Sequence, residues 1–314
     1  MSGVLVTGAS GFLGSFVVKR LQGRGTRVRG LVRSDVDLPG VEVVVGDLTD
    51  PTSLEGAVEG VDAIVHTAAS FSMDFQESAG VNLDGTRALL EMALDHGVGR
   101  FVHISSCGVY DLVDVEVVTE ETPRWPFTDE TDPFFATLKP GSGEVYAYVY
   151  GRVKAEVERA VEAAGARGLP GVILRPPNIL GPHPRSAWGH KVPEAVVKGQ
   201  VGVFGDGSNT WPVVSVHNLV DAVELALALD AAVGRAYTVV DDHTTWREYV
   251  ERIAGWVGLE ELREDPPDWP YDEWRGRFDA SRIRQELGYV PRVGYDEAME
   301  EIRGYCVEVG IVPA

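Results

Sequence analysis

The sequence predicts an α/β protein in which a doubly wound parallel sheet carries a smaller C-terminal lobe. Runs rich in β-branched residues alternate with helical segments through the first half of the chain, an order typical of a parallel sheet covered by helices on both faces. The first of these runs leads directly into a glycine-rich turn and then a helix. A strand, such a turn and a helix together are the start of a Rossmann-type fold.

Hydrophobic periodicity locates the elements of the predicted sheet. Short apolar runs predict strands at residues 3–6, 27–32, 41–45, 63–67 and 100–105. Helical spacing of apolar residues predicts helices at residues 12–22, 52–58, 83–96 and 150–164. A further strand at residues 172–174 precedes two prolines, and we expect the chain to return to the sheet near residues 213–216 and 236–240 before it ends in helices.

These elements predict two domains. Residues 1–176 form a dinucleotide-binding domain, to which residues 213–241 return, and residues 177–212 and 242–314 form a substrate-binding lobe. The polar and aromatic segment 111–143 lacks clear periodicity, and we expect it to be a loop that lies over the site.

The glycine-rich turn has the sequence TGASGFLG at residues 7–14. Gly8 is expected to take the tight turn, Gly11 to let the backbone approach a phosphate, and Gly14 to allow close packing of helix on strand. The unpaired N–H groups and the positive dipole end of the following helix then face the anion. The turn therefore predicts a pyrophosphate site.

Composition excludes several partners. Forty-eight acidic residues against 28 basic ones give a formal charge of -20, which disfavours binding to nucleic acid or to an anionic membrane. The sequence has neither a leader pattern nor a run of roughly 20 apolar residues, so we expect a cytoplasmic protein. Cys107 and Cys306 lie far apart without a Cys/His cluster, which indicates neither a disulfide framework nor a metal site.

Tyr150 and Lys154 are four residues apart on a predicted helix and therefore lie on one face of it. A tyrosine with its ordinary pKa of about 10 is a poor base at neutral pH, and a neighbouring cation favours the phenolate. Lys154 is therefore expected to lower the pKa of Tyr150, which exchanges a proton with a substrate oxygen.

Four features follow one another in a familiar order: the glycine turn, the segment ISSCGVY at residues 104–110, the Tyr150 and Lys154 pair, and RPPN at residues 175–178. In this order the sequence resembles the extended short-chain dehydrogenase/reductase family of the epimerase/dehydratase type, over nearly its whole length. The C-terminal half, with VHNLVDA at residues 216–222, is most similar to the branch that includes hydroxysteroid dehydrogenases and carbonyl reductases.

The resemblance implies a role for each matching position. Ser106 hydrogen-bonds the reacting oxygen, and Lys154 also binds the nicotinamide ribose. The implied cofactor-binding residues are Thr7, Gly8, Ser10, Gly11, Phe12, Leu13, Gly14, Arg33, Asp47, Leu48, Thr67, Ala68, Ala69, Asn82, Tyr150, Lys154, Pro176, Pro177 and Ile179. The implied substrate-binding residues are Ser70, Cys107, Asn178 and Trp211. For Asn82, a helix cap is the alternative role. Family members often pair through the helices predicted at 83–96 and 150–164, so we expect a homodimer.

The end of the second strand bears on the choice of cofactor. At this position a dinucleotide fold places an acid for a ribose 2′-hydroxyl or a cation for a 2′-phosphate. Arg33 therefore favours NADP over NAD, with Arg29 or Ser34 assisting. The nearby Asp35 leaves NAD as the alternative.

The substrate class is predicted from two positions at which related enzymes of the family carry charged residues and this chain does not. Nucleotide-sugar enzymes of this family typically hold the diphosphate with an arginine shortly after a Gly-Asp-Gly turn, where this chain has Trp211. Sugar dehydratases carry an Asp-Glu pair after the catalytic hydroxyl, where this chain has Cys107 and Gly108. The aromatic residues expected to border the cleft are Trp125, Phe127, Phe134, Phe135, Trp188 and Trp211. An apolar substrate therefore fits better than a dianion.

These observations predict an NADP-dependent oxidoreductase that acts on a carbonyl or secondary alcohol of a mostly apolar small molecule. The alternative is a nucleotide-sugar epimerase with a tightly bound NAD(P), for which Arg185, Arg275 or Arg277 are candidate diphosphate contacts. A non-catalytic dinucleotide-binding regulator is a third hypothesis, disfavoured because such a protein has no need of the Ser, Tyr and Lys set.

Overall fold

The computed structural model of the protein describes residues 3–112, 114–126, 135–138, 141–266 and 274–313. The strands in these residues are β1 (Gly3–Thr7), β2 (Arg27–Val32), β3 (Glu42–Val45), β4 (Ala63–His66), β5 (Arg100–Ile104), β6 (Val117–Val118), β7 (Gly171–Arg175), β8 (Asn178–Leu180), β9 (Val203–Phe204), β10 (Thr210–Ser215), β11 (Ala236–Thr238), β12 (Asp242–Thr245), β13 (Glu264–Asp265) and β14 (Arg277–Phe278). The α-helices are α1 (Phe12–Gly23), α2 (Glu55–Val58), α3 (Phe75–Ala79), α4 (Gly85–Asp95), α5 (Gly143–Ala166), α6 (Val192–Val197), α7 (Val216–Ala228), α8 (Trp246–Gly255), α9 (Ser281–Leu287) and α10 (Tyr295–Glu308). None of these helices combines the length and the apolarity that crossing a membrane requires.

A parallel sheet of seven strands lies at the centre of the described chain, in the order β11-β7-β5-β4-β1-β2-β3. Strands β1, β4, β5 and β7 are buried at every residue, as expected where helices cover both faces. The strand order reverses between β1 and β4, which is the switch point where such sheets bind ligands. The predicted doubly wound α/β fold is therefore confirmed.

The side chains of β1 alternate between two hydrophobic layers. Val4 and Val6 join the cluster that includes apolar residues of α1 and α7. Leu5 faces the opposite way and joins the cluster that includes residues of α2 and α4. The first strand is thus fixed from both sides, and so is the turn that follows it.

Strand β10 was expected near residues 213–216 as a return to the central sheet, and this expectation is wrong. It pairs parallel with β8 and antiparallel with β12 in a separate three-stranded sheet. Prolines 176 and 177 end β7 and lack the N–H groups needed to continue its ladder, so β8 leaves the central sheet and β10 follows it. Among the described strands after β8, β11 alone returns to the central sheet, alongside β7.

Two helices begin earlier than predicted. The helix expected at residues 83–96 starts at α3, where Asp74 accepts a hydrogen bond from the Glu77 N–H, and it continues through a π-helical turn, Gly80–Asp84, into α4. The helix expected at 150–164 is α5, capped by Ser142. Both extra turns bury apolar residues in one shared cluster, which includes Phe75 and Tyr148, and tertiary packing therefore extends both helices.

The segment 111–143 is described in part. Its residues 117–118 form β6, which pairs with β14, and the Trp125 N–H donates to the Val109 carbonyl at 2.9 Å. Phe135 packs its ring against Tyr148, with centroids 5.3 Å apart. Phe127 and Phe134, which we expected near the cleft, lie outside the described residues.

Candidate active site

The predicted site residues follow the carboxyl ends of the parallel strands. Arg33 follows β2, Asp47 follows β3, Thr67 follows β4 and Ser106 follows β5, while the glycine turn follows β1. Carboxyl ends of neighbouring parallel strands meet at one edge of a sheet, and ligands of open α/β sheets bind there. The fold therefore gathers these residues along a single edge.

The glycine turn has the backbone geometry that the sequence predicts. Gly8 adopts a φ of 67°, in the left-handed region where L side chains are strained, and its N–H donates to the Leu31 carbonyl at 2.9 Å. A Cβ atom at Gly14 would lie 2.2 Å from the Gly8 carbonyl oxygen. Glycine at position 14 thus lets α1 pack closely against the turn.

The beginning of α1 fits a pyrophosphate. Gly11 precedes the helix, no described side chain caps it, and its first turn carries no acidic residue. The first N–H groups of a helix have no partner within it and carry partial positive charge. Arg185 adds a cation nearby, since its Nη1 donates to the Ser10 carbonyl at 3.2 Å. These donors suit a dianion.

At the other end of the expected dinucleotide, Arg33 is exposed beyond β2. The pKa of Asp47 is lowered first by hydrogen bonds from Thr49 and then by the charge of Arg33, so the guanidinium lies near this carboxylate. Arg29 is otherwise engaged, because it binds Glu42 and the carbonyl groups of residues 56, 57 and 59. Of the two arginines, Arg29 is thus bound within the protein, while Arg33 is exposed.

The segment after β4 is tied to the end of β1. The Thr67 hydroxyl donates to the Thr7 carbonyl at 2.6 Å, and the Ala68 N–H donates to the Thr7 hydroxyl at 3.2 Å. Gly8 lies against the same segment, where a Cβ would be 3.0 Å from the Ala68 Cα. The segment after β4 therefore packs closely against the glycine turn.

Asn82 does not cap a helix, because the helix that contains it begins at Phe75. It is 3% exposed and its carboxamide binds both backbone groups of Ser70: the Ser70 N–H donates to Oδ1 at 2.7 Å, and Nδ2 donates to the Ser70 carbonyl at 2.9 Å. The side chain therefore fixes the course of the chain after β4.

Ser106 and Tyr150 form the centre of the candidate site. The Ser106 Oγ accepts a hydrogen bond from the Gly108 N–H at 3.0 Å and is hydrogen-bonded to Tyr150. Burial raises the pKa of Tyr150 to about 12, and the Ser106 hydrogen bond opposes that rise. The phenol is consequently protonated at neutral pH.

Lys154 lies one helical turn after Tyr150 but is turned toward the sheet. It is 4% exposed, its Nζ donates to the Ile104 carbonyl at 3.0 Å, and the Nζ is 6.0 Å from the centre of the Tyr150 ring. Burial lowers the pKa of Lys154 to about 8, while the charge of Glu158 opposes this. The expected lowering of the pKa of Tyr150 by Lys154 is therefore not observed in this arrangement, where burial dominates.

A buried ionic network beneath Lys154 was not identified from the sequence. Glu158, at 0% exposure, accepts hydrogen bonds from Ser105 at 2.5 Å, from Arg124 at 2.8 Å, and from Arg175 at 2.8 and 2.6 Å. Glu158 is four residues after Lys154, so the same helical spacing that relates Tyr150 to Lys154 could have indicated it.

Two buried histidines beneath the site were also missed. The ring nitrogens of His66 lie 2.8 Å from the Thr7 hydroxyl and 2.9 Å from the Thr86 hydroxyl. Burial, followed by the charge of Lys154, lowers the pKa of His66 to about 3. His103 stacks on His66 with ring centroids 5.5 Å apart. Both imidazoles are neutral structural groups at physiological pH.

The residues implied in substrate binding divide into two groups. Ser70 is half-buried in the loop that follows β4. Trp211 is 6% exposed and stacks on Tyr249 with centroids 4.1 Å apart, Asn178 donates to the Pro212 carbonyl at 2.9 Å, and the buried Cys107 thiol donates to the Arg175 carbonyl. The side chains of Trp211, Asn178 and Cys107 are therefore engaged within the protein.

Comparison with known proteins decides the family. The NAD dependent epimerase/dehydratase family profile matches residues 4–240. The chain belongs to this family. Sterol demethylase protein B of Methylococcus capsulatus is 35% identical over 332 residues, which cover 91% of this chain and 93% of that protein. A 3 beta-hydroxysteroid dehydrogenase/Delta 5-->4-isomerase of Mycobacterium tuberculosis is 33% identical, over 98% of this chain and 90% of that protein.

A solved structure of the family supports the fold and the cofactor class. Thermus thermophilus UDP-glucose 4-epimerase in complex with NAD has a TM-score of 0.77 and 27% identity, and the match covers 96% of this chain and 99% of that one. The resemblance drawn from the sequence is confirmed. This member of the epimerase/dehydratase family is therefore an NAD(P)-dependent enzyme of the oxidoreductase type, with epimerisation as the alternative reaction.

Proposed function

We propose that this enzyme is an NADP-dependent oxidoreductase that transfers hydride between the nicotinamide and a carbonyl or secondary alcohol of a mostly apolar small molecule. The observation that carries the proposal is the hydrogen bond between Ser106 and Tyr150, with Lys154 one turn further along α5. Tyr150 and Ser106 provide a proton donor and a polarising hydroxyl for one substrate oxygen, and Lys154 provides a buried cation behind them.

In the direction of reduction, the hydride would come to the carbonyl carbon from a dinucleotide held by the glycine turn and the start of α1. The Ser106 hydroxyl donates a hydrogen bond to the carbonyl oxygen, and Tyr150 transfers its phenolic proton to that oxygen as the C–O double bond becomes a single bond. The pKa of about 12 keeps this proton on Tyr150 at neutral pH. Lys154, with a pKa of about 8, is charged under the same conditions, and its ammonium would hold the nicotinamide ribose.

The cofactor would be held along the edge of the sheet. The glycine turn and the start of α1 take the pyrophosphate, Asp47 and Leu48 border the adenine, and Arg33 pairs with a ribose 2′-phosphate. The segment 67–69 runs beside the nicotinamide half, whose ribose Lys154 binds. The preference for NADP rests on Arg33, which is exposed, whereas the Arg29 guanidinium is paired with Glu42.

An apolar substrate is supported by the state of the candidate diphosphate contacts. The position that carries an arginine in nucleotide-sugar enzymes holds the buried Trp211, and the Arg275 guanidinium binds Asp206 at 3.0 Å. The similarity to sterol demethylase protein B agrees with an apolar substrate.

Epimerisation of a nucleotide sugar is the second candidate, favoured by the similarity to the Thermus thermophilus UDP-glucose 4-epimerase. The same three residues would then act twice, first to oxidise and then to re-reduce one bound intermediate. This reaction consumes no net cofactor.

The test follows nicotinamide absorbance with NADPH and, in parallel, NADH against apolar aldehydes and ketones and against nucleotide sugars. We expect oxidation of NADPH by an apolar carbonyl and a loss of about a hundredfold or more in Tyr150→Phe. Conversion of a nucleotide sugar to its epimer at constant absorbance would instead establish the second candidate.

A further inference from the structure

The loop after β4 presents an aromatic ring to solvent beside the candidate active site. Phe71 is 64% exposed. Its ring stacks on that of Tyr150, with centroids 5.6 Å apart and planes 20° from parallel. Leaving a phenylalanine in water forgoes the stabilisation of about 25 cal/mol per Å² that burial provides, and this exposed ring lies against the candidate proton donor.

The loop holds this ring in a defined place. Asn82 binds both backbone groups of Ser70, directly before Phe71. The Ser72 N–H, directly after it, donates to the Ser70 hydroxyl at 3.2 Å, and the Asp74 N–H donates to the Ser72 hydroxyl at 3.1 Å. Hydrogen bonds on both sides of Phe71 therefore organise the backbone before a ligand binds, which lowers the entropic cost of a contact.

The chemistry of the loop indicates what covers the ring. Its residues 68–73 are Ala-Ala-Ser-Phe-Ser-Met and include no cation for a phosphate. Met73 is also exposed, at 43%, and thioethers and aromatic rings both favour apolar or aromatic surfaces. The Phe71 ring thus lies directly against the phenol that is proposed to protonate the reacting oxygen.

We infer that Phe71 is a specificity-determining residue: it forms a wall of the substrate site and stacks on a ring or flat apolar part of the molecule that carries the reacting carbonyl. This inference rests on the proposed function for the identity of the reacting group. It narrows the substrate class from small apolar carbonyls to ring-containing ones.

The experiment measures equilibrium binding of ketones to the enzyme saturated with NADP⁺, because the oxidised cofactor cannot reduce them and binding is read without turnover. The ring-containing probes are benzylacetone and progesterone, the ring-free probe is butanone, and UDP-glucose is the charged probe. Titrations by calorimetry or saturation-transfer NMR compare the wild type with Phe71→Ala, Phe71→Trp and Val290→Ala. Val290, in the segment between α9 and α10, is the matched control because it is 66% exposed.

We expect Phe71→Ala to weaken binding of the ring-containing ketones by about tenfold, and butanone binding to be unchanged. Phe71→Trp should keep the affinity for ring-containing ketones, and Val290→Ala should behave as the wild type. Equal affinity of Phe71→Ala and wild type for both ring-containing ketones would overturn the inference. So would a wild type that binds UDP-glucose but neither of them.

Failure of the proposed function has a separate signature. If the ring-containing ketones bind in a way that depends on Phe71, yet NADPH is not oxidised by them, the role of Phe71 stands and the proposed reaction is wrong. If NADPH is oxidised but Phe71→Ala binds and turns over the ring-containing ketones as well as the wild type, the reaction stands and the role of Phe71 is wrong.

Discussion

Arg175 and Glu158 form a fork of two hydrogen bonds, 2.8 and 2.6 Å long, at a place where their side chains are only 2% and 0% exposed. The pair joins the end of β7 to α5, one turn beyond Lys154. The paired carboxylate also raises the pKa of that lysine against the effect of burial. The helix that carries the candidate catalytic residues is thus anchored to the sheet by buried charges.

Removing the charge of Glu158 should therefore be costly. We expect Glu158→Gln to lower the free energy of unfolding by about 3 to 5 kcal/mol, because it leaves the buried Arg175 unneutralised. Urea unfolding measures this. The control is Glu162→Gln, which removes a 48% exposed partner of Arg124 and should cost at most about 1 kcal/mol. Equal effects of the two substitutions would contradict the anchoring role.

The pH dependence of reduction should report Lys154. Its pKa of about 8 means that the ammonium predominates below pH 8 and is lost above it. We expect kcat/KM for carbonyl reduction to fall as pH rises through about 8. In Lys154→Arg, whose guanidinium stays charged, this basic limb should disappear even if the maximal rate is lower. If kcat/KM fell at the same pH in the wild type and in Lys154→Arg, the titrating group would be a residue other than Lys154.

Cofactor preference should depend on Arg33. Charge-assisted hydrogen bonds contribute about 1.5 to 3 kcal/mol, so Arg33→Ala is expected to raise the KM for NADPH at least about tenfold and to leave that for NADH nearly unchanged. Arg29→Ala is the control, since Arg29 binds Glu42 instead. If Arg33→Ala raised the KM for NADPH and the KM for NADH by the same factor, the Arg33 guanidinium would not bind a 2′-phosphate.

Close packing of α1 on the glycine turn gives a fourth prediction. Gly14→Ala places a methyl group 2.2 Å from the Gly8 carbonyl oxygen, and we expect it to destabilise the fold by about 1 to 3 kcal/mol or more and to abolish dinucleotide binding. Gly23→Ala, in the same helix with nothing within 4 Å of the added Cβ, should be neutral or stabilise by about 0.5 kcal/mol. Thermal unfolding with and without NADPH measures both. Dinucleotide binding by Gly14→Ala would be inconsistent with this geometry.

The geometry of the glycine turn could be predicted from the sequence because its determinants are local. The positive φ of Gly8 and the close contact at Gly14 both arise within the eight residues of this turn, 7–14. The spacing of Tyr150 and Lys154 on one helix is local in the same sense.

Other parts of the site depend on contacts between distant segments, which periodicity does not encode. Glu158 meets Ser105, Arg124 and Arg175 only after three elements and a loop have packed together. The direction of Lys154, toward the Ile104 carbonyl rather than Tyr150, is set by the same packing.

Aromatic residues were the least predictable. Trp211 was expected to border the cleft, yet it packs on Tyr249 in a buried cluster that includes residues of β10 and α8. Phe71 was not among the predicted site residues, and it stacks on Tyr150 while remaining exposed. Strand β10 places Trp211 because it pairs with β8 rather than with the central sheet. That pairing depends on the direction that the chain takes after prolines 176 and 177. Composition alone does not determine this direction.

The most direct test of the proposed reaction is deuterium transfer from NADPH labelled at the reactive position of the nicotinamide to an apolar ketone. We predict one deuterium on the carbinol carbon of the product for each NADPH oxidised, at a rate that falls about a hundredfold or more in Tyr150→Phe. An epimerised nucleotide sugar formed with no net loss of NADPH, or undiminished transfer in Tyr150→Phe, would contradict the account.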